Sequence, residues 1–200
     1  SVLFPAMSHY SGSGDDGKMR RLFFVTTRYL AFFSFPVGVA GMILAFPLIK
    51  YLYGHEYLGA QRVLQIMFIC SIFSNLSNPA AAVLYGFDRQ SFIYKYGAIL
   101  AVLNIGLDIL LIKNYGAVGA AICYGITTFL ASTGGLVYTC RTMKLEYPFR
   151  SIVKILFSTI IMGLSMKVVM MQMTGPVGLL LTMATGLVVY LVCALVLGSF

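Results

Sequence analysis

Several residue groups in this chain have types and spacings that could do chemistry. "GSGDDGK", Gly12 to Lys18, follows the outline G-x-x-x-x-G-K of a loop that cradles phosphates. Such a loop needs a strand before it, a helix after it, and Ser or Thr following the lysine to hold magnesium. Met19 stands in that last place, an apolar run precedes Gly12, and Asp15 and Asp16 would repel phosphate. The stretch therefore reads as a flexible, solvated linker followed by basic residues, and not as a nucleotide site. Asp108 is a lone acid inside an apolar run, with Asn104 one helical turn before it. Two readings fit: a carboxylate that responds to a proton or another cation, or one near a membrane interface, paired with Lys113 or water. Asn75 and Asn78 lie three apart and share a helix face. They suit either hydrogen bonds between helices or the wall of a polar cavity. Arg28, Lys95 and Lys167 stand near the ends of apolar runs. Their long stems can snorkel to water, or their charges can attract an anionic headgroup.

Other chemistries lack their residues. Cys70, Cys123, Cys140 and Cys193 lie in or beside apolar runs and form no C-x-x-C pair. His9 and His55 in loops cannot complete a zinc site with them, so no metal site and no cofactor is expected. A membrane-embedded glycosyl- or acyltransferase would need convergent acids, histidines or metal ligands. Asp88 and Glu146 are isolated, and the histidines fall on opposite expected sides.

The elements that must position these residues follow from composition. The 200 residues are 60% hydrophobic and 10% charged, where an average domain carries about 25% charged residues. Mean hydropathy is +0.90. Side chains this apolar outside as well as inside belong in a bilayer. A helix needs roughly 20 apolar residues to cross it. The runs are about 29–49, 63–87, 96–112, 115–140, 152–173 and 177–197, with residues 1–8 the tail of one earlier helix. They are long and do not alternate with period two, which excludes barrel strands. The fold class is thus an all-α, polytopic membrane bundle of about six complete helices. The start at Ser1, inside an apolar stretch, suggests a fragment whose N-terminal part is absent.

A net charge of +8 would suggest nucleic acid in a soluble protein. Here the cations fall between apolar runs and set topology instead. Lys18, Arg20, Arg21, Arg28, Arg89, Lys95, Arg141, Lys144, Arg150 and Lys154 lie on one side of a six-helix chain. Lys50, Arg62, Lys113 and Lys167 lie on the other. The richer side, with the segment 12–28, is expected in the cytoplasm. Tyrosines such as Tyr29, Tyr51, Tyr53, Tyr57, Tyr94, Tyr96, Tyr115 and Tyr138 gather at run ends as an interfacial belt. Thr174-Gly175-Pro176 is a turn signal.

Backbone signals complete the pattern. Lys113-Asn114-Tyr115-Gly116 leaves room only for a tight turn, where glycine tolerates positive φ. Gly119, Ala120 and Ala121 then offer a small-residue face for the preceding helix. Gly134, Gly135 and Gly186 suit close packing too. Pro36, Pro47 and Pro79 lie inside helices and each removes a backbone donor. They read equally as hinges or as static kinks.

"LNIGLDILLIKNYGAVGAAICYGIT", Leu103 to Thr127, resembles the C-terminal half of polysaccharide (oligosaccharide) flippases of the multidrug/oligosaccharidyl-lipid/polysaccharide exporter superfamily. The resemblance rests on the turn Tyr115, Gly116, Gly119, Ala120, Ala121, on "LFPAMS" (Leu3 to Ser8), on "YGHEYLGA" (Tyr53 to Ala60) and on "NPAAAVLYGFDRQ" (Asn78 to Gln90). It implies that residues 1–150 are the C-terminal part of a second transporter lobe and that 151–200 add a helix pair. It implies flipping of a lipid-linked oligosaccharide, on an undecaprenyl-pyrophosphate type of carrier, across the inner (cytoplasmic) membrane by alternating access. Membrane lipid, that substrate, the missing N-terminal lobe, and polysaccharide polymerase and glycosyltransferases would be the partners, with no nucleic acid. Arg28, Asn75, Asn78, Lys95 and Asn104 become cavity candidates for sugar and phosphate, and Asp108 a candidate for ion coupling, although asparagine is expected more often at its place. A multidrug exporter of the same fold is the alternative. No enzymatic step is expected.

Overall fold

The computed structural model describes residues 16–87, 90–172 and 175–198. The tail at 1–8, the "LFPAMS" match, Gly12 to Asp15, Asp88, Arg89 and Thr174 lie outside these residues. Helix α1 spans Asp16–Leu52, and a short 3-10 helix covers His55–Ala60. Helix α2 spans Gln61–Gly86, α3 Gln90–Met143, α4 Phe149–Gln172 and α5 Pro176–Val196. Five helical stretches are long and apolar enough to cross a membrane.

Helix α3 is 54 residues long, which at 1.5 Å per residue is about 80 Å and far exceeds a bilayer of about 30 Å. It breaks at Gly116, whose φ of 57° and ψ of −135° are not helical. The contacts on either side show a hairpin. Phe92 stacks on Tyr138 with centroids 3.7 Å apart. Tyr96 donates its hydroxyl to the Leu130 carbonyl at 2.9 Å, and Asn104 Nδ2 donates to Thr127 Oγ1 at 3.3 Å. As one partner advances the other retreats, so the arms 90–115 and 117–143 run antiparallel about Gly116. Among the described residues there are therefore six helices of crossing length, counting each arm. Only glycine takes a positive φ at this bend without strain.

The expected flexible linker at 12–28 is corrected for its described part. Helix α1 already begins at Asp16. Met19, Phe23, Thr27 and Ala31, four apart, are all buried, forming one stripe along the added turns. Met19 and Phe23 pack with Ala80, Val83 and Leu145 in one apolar cluster. Burial of this stripe, which charge content alone conceals, makes the segment helical. Lys18 thus sits in the first turn of a helix, not at the end of a phosphate loop.

Two compact units share α1 and α2. The first joins the chain up to Leu30 with Phe73–Pro148, and the second joins Ala31–Ile72 with the chain from Phe149 onward. In the first unit, the α3–α4 connection is pinned inward: Lys144 takes φ 49°, the Leu145 amide donates to the Cys140 carbonyl at 3.1 Å, and Leu145 is buried. Burial beside it pushes the Tyr147 phenol up to about 12. In the second unit, α1 and α2 pack through glycine. A Cβ on Gly38 would strike the Ile72 side chain, and one on Gly41 the Phe68 ring. Gln65 Nε2 donates to the Met42 carbonyl at 3.1 Å. Helix α4 meets α1 at Gly163, where a Cβ would lie 3.2 Å from Val39 Cγ1. It meets α5 at Gly186, where one would lie 2.6 Å from Met166 Sδ.

The outward faces are apolar: Val102 is 73% exposed, Ile109 69% and Leu180 66%. Such surfaces suit hydrocarbon and not water. Four buried hydroxyls are satisfied within their own helices: Thr139, Ser158, Thr159 and Thr182 each donate to the carbonyl four residues back. The chain is a multi-pass helical membrane protein.

The hairpin and the connection give two tests. A Cβ at Gly119 would collide with the Leu111 carbonyl, which is backbone and cannot rotate away. Gly119→Leu should destabilise the protein by about 1–3 kcal/mol, read as an earlier thermal midpoint in detergent. Tyr147 titrates later folded than unfolded, so its contribution is intact below pH 10 and lost as pH rises toward about 12. Alkaline melts over that window should lose less stability for Tyr147→Phe than for the parent.

Candidate functional site

The membrane-embedded polar residues gather on the α3 hairpin. Folding at Gly116 sets Asn104 opposite Thr127 and Asp108 opposite Cys123, one turn nearer the bend. Asn104 Nδ2 donates to Thr127 Oγ1 at 3.3 Å. The Thr127 hydroxyl in turn lies 3.0 Å from the Cys123 carbonyl and 3.1 Å from that of Tyr124. The Asp108 side chain faces Cys123 across the hairpin. Lys113 follows Asp108 by five residues, about 140° around the helix, so the structure seats Asp108 against the second arm. A carboxylate, an amide oxygen and a hydroxyl thus project from facing turns. Oxygen donors of this kind suit a proton or a hard cation, and a soft metal would want sulfur or imidazole. Among the described residues no group of three or more His, Cys, Asp or Glu side chains could hold a metal ion.

The turn residues hold this register. Gly119 and Ala121 are buried, and Ala120 is half-buried. Without side-chain bulk at Gly119 the two arms approach to backbone contact with Leu111. Further along, Gly134 leaves room for the Tyr96 phenol, which a Cβ there would strike. Phe92 stacks between Tyr96 and Tyr138, with centroids at 5.4 and 3.7 Å.

The remaining candidates are separate. Asn75 and Asn78 lie on α2, and Asn78 Nδ2 reaches Asn75 Oδ1 at 3.5 Å, the limit of a hydrogen bond. Asn78 is exposed and Asn75 half-buried. Near them Ser77 donates to Ser132 of the second arm at 3.2 Å, and Phe73 meets Phe129 edge to face at 5.1 Å. No hydrogen bond among the described residues joins the two asparagines to Asn104 or Asp108. Arg28 is half-buried on α1, and Lys95 is exposed in the second turn of α3. Lys167 is exposed on α4. Helices α1 and α2 run through Pro36, Pro47 and Pro79 without interruption.

Thr127 and Cys123 escaped the sequence reading as partners of Asn104 and Asp108. Their signal was present: they repeat the four-residue spacing beyond the turn, each one residue nearer Gly116 than its partner before it. Only the antiparallel fold converts that symmetry into contact.

The described residues thus form an all-α membrane bundle with a polar cluster on a helical hairpin, and the comparisons say what it is similar to. A family model described as polysaccharide biosynthesis protein matches residues 1–62. The lipid II flippase MurJ of Bacillus subtilis (strain 168) is 27% identical over 218 aligned residues, covering 98% of this chain and 39% of that protein. A solved structure of lipid II flippase MurJ, in an inward closed conformation, superposes with a TM-score of 0.80 at 21% identity. That superposition covers 97% of this chain and 42% of the other. The chain therefore resembles saccharide-lipid flippases in sequence and has the fold of the matching part of MurJ, while spanning about two fifths of that relative's length.

The cluster carries a stability test. Asn104→Leu and Thr127→Val each remove the bond between the arms. Either should cost about 0.6–1.7 kcal/mol, the range for such bonds in membranes, and the double variant should cost little more than one. Thermal melts of the four proteins in one detergent check this.

Proposed function

We propose that this protein flips a lipid-linked oligosaccharide, of the undecaprenyl-pyrophosphate type, from the cytoplasmic to the outer leaflet of the cytoplasmic membrane. The observation that carries the reading is the likeness to the MurJ lipid II flippase over nearly the whole chain. The match to a polysaccharide-biosynthesis model supports saccharide as the cargo's head. The physics requires such a device. Phosphate charges and sugar hydroxyls crossing bare hydrocarbon are costly, so a polar cavity shelters them while the lipid tail stays in the bilayer. Alternate opening to the two sides then completes transfer, and no covalent step is needed. This chain supplies part of such a protein. Arg28 and Lys95, on the expected cytoplasmic side, meet the pyrophosphate at loading. Asn75 and Asn78 offer amides to sugar hydroxyls. Pro36, Pro47 and Pro79 are the bends about which helices turn. Polymerase and glycosyltransferases act before or after it on the same saccharide.

Asp108 couples this movement to an ion gradient. Asn104 and Thr127 beside it complete a set of oxygens that binds a proton or hard cation in one state better than in the other. Differential affinity of that kind is what lets a gradient bias an equilibrium.

Reconstitution tests both parts. The complete protein in liposomes should move fluorescent lipid-linked oligosaccharide between leaflets. Export of cationic drugs with no movement of any pyrophosphate-linked saccharide would overturn the reading in favour of a multidrug exporter. An imposed proton or sodium gradient should change the flipping rate at least about fivefold, and Asp108→Asn should abolish the response while keeping basal flipping. A response unchanged in Asp108→Asn removes Asp108 from the coupling step.

A further inference from the structure

Helix α1 contains a defect that α5 repairs. Proline has no N–H, so Pro36 cannot bond the carbonyl of Phe32, four residues back. An unbonded carbonyl in the membrane interior costs free energy. The Tyr190 hydroxyl of α5 donates to that same Phe32 oxygen at 2.6 Å, in a buried position. The rings of Phe32 and Tyr190 also meet, with centroids 5.2 Å apart and planes inclined by 51°. Tyr190 is 2% exposed and Phe32 8%.

The bond stands at the wall of an apolar cleft of about 410 Å³. Phe32, Pro36 and Tyr190 line it together with Met166, Leu187 and Leu191. Helix α5 therefore holds α1 by a strong directional contact, and Met166, Leu187 and Leu191 beside it in the cleft are apolar. Apolar contacts between helices exchange readily for lipid contacts, because hydrocarbon is as apolar as the side chains. The hydrogen bond does not exchange, since lipid tails offer no donor.

We propose that Tyr190 is a latch: its hydroxyl takes the place of the N–H that Pro36 lacks at the Phe32 carbonyl and so fixes the width of the cleft between α1 and α5. Closed, the Phe32 carbonyl has the Tyr190 hydroxyl and α5 lies against α1. Open, the Phe32 carbonyl loses its donor from α5, so separation has an energetic threshold set by one bond. Proline creates the need and tyrosine meets it, so each residue has this role only while the other is present.

That mutual dependence is the test. Spin labels placed by Phe33→Cys and Leu195→Cys, in the complete protein with native cysteines replaced and held in nanodiscs, report the separation of α1 and α5. Tyr190→Phe keeps the ring and removes the donor, and should raise the ratio of separated to closed populations about threefold to twentyfold. Pro36→Ala restores the N–H, and in that background Tyr190→Phe should change the ratio less than about twofold. No change from Tyr190→Phe alone, or the same change in both backgrounds, overturns the latch. If Tyr190→Phe alone fails to fold, rescue by Pro36→Ala supports the latch and failure in both backgrounds overturns it.

Discussion

A backbone amide or carbonyl inside a membrane finds no water, so it must bond within the protein. The long helices of this chain are the direct answer to that constraint, and two departures from regular helix, at Gly116 and Pro36, are met by specific contacts. At Gly116 the chain reverses, and the bend falls between two arms whose side chains then cross-bond. At Pro36 a carbonyl loses its intrahelical donor, and a tyrosine from another helix supplies one at 2.6 Å. The buried hydroxyls of Thr139, Thr159 and Thr182 bond to carbonyls of their own helix.

Association between the helices follows a second rule. Hydrocarbon gives apolar side chains no reason to prefer each other over lipid, so contact is won by close approach and by scattered polar bonds. Glycines mark the approaches: Gly38 and Gly41 between α1 and α2, Gly119 and Gly134 within the hairpin, Gly186 between α4 and α5. Polar bonds mark the registers, as with Gln65 to Met42, Ser77 to Ser132 and Asn104 to Thr127. The two devices are interleaved, so that glycine brings two helices near enough for the next polar pair to meet.

The same two rules frame the proposed transport function. A polar cluster on the hairpin costs stability in hydrocarbon unless its members bond to each other, and Asn104 and Thr127 do so. Asp108, facing Cys123 across the hairpin, is the acid of that cluster, and an acid placed in hydrocarbon is costly. The superposition on MurJ over 97% of this chain gives the fold in which the cluster sits.

Much of this was legible in the residues. Apolar runs of about 20 residues located the crossing helices, because a bilayer imposes length directly on composition. Glycine at 116 located the reversal, because positive φ excludes most other residues. The sequence also marked Asn104 and Asp108 as costly in lipid. It did not show that α1 begins at Asp16: residues 16–28 read as a charged linker until Met19 and Phe23 are seen buried against Val83 and Leu145. Nor did it pair Asn104 with Thr127, or Pro36 with Tyr190, which is 154 positions further on by the numbering of the sequence. Length and local backbone conformation depend on neighbours along the chain, so the sequence alone determined them. Partners across helices depend on which faces meet, and only the packed structure decided that.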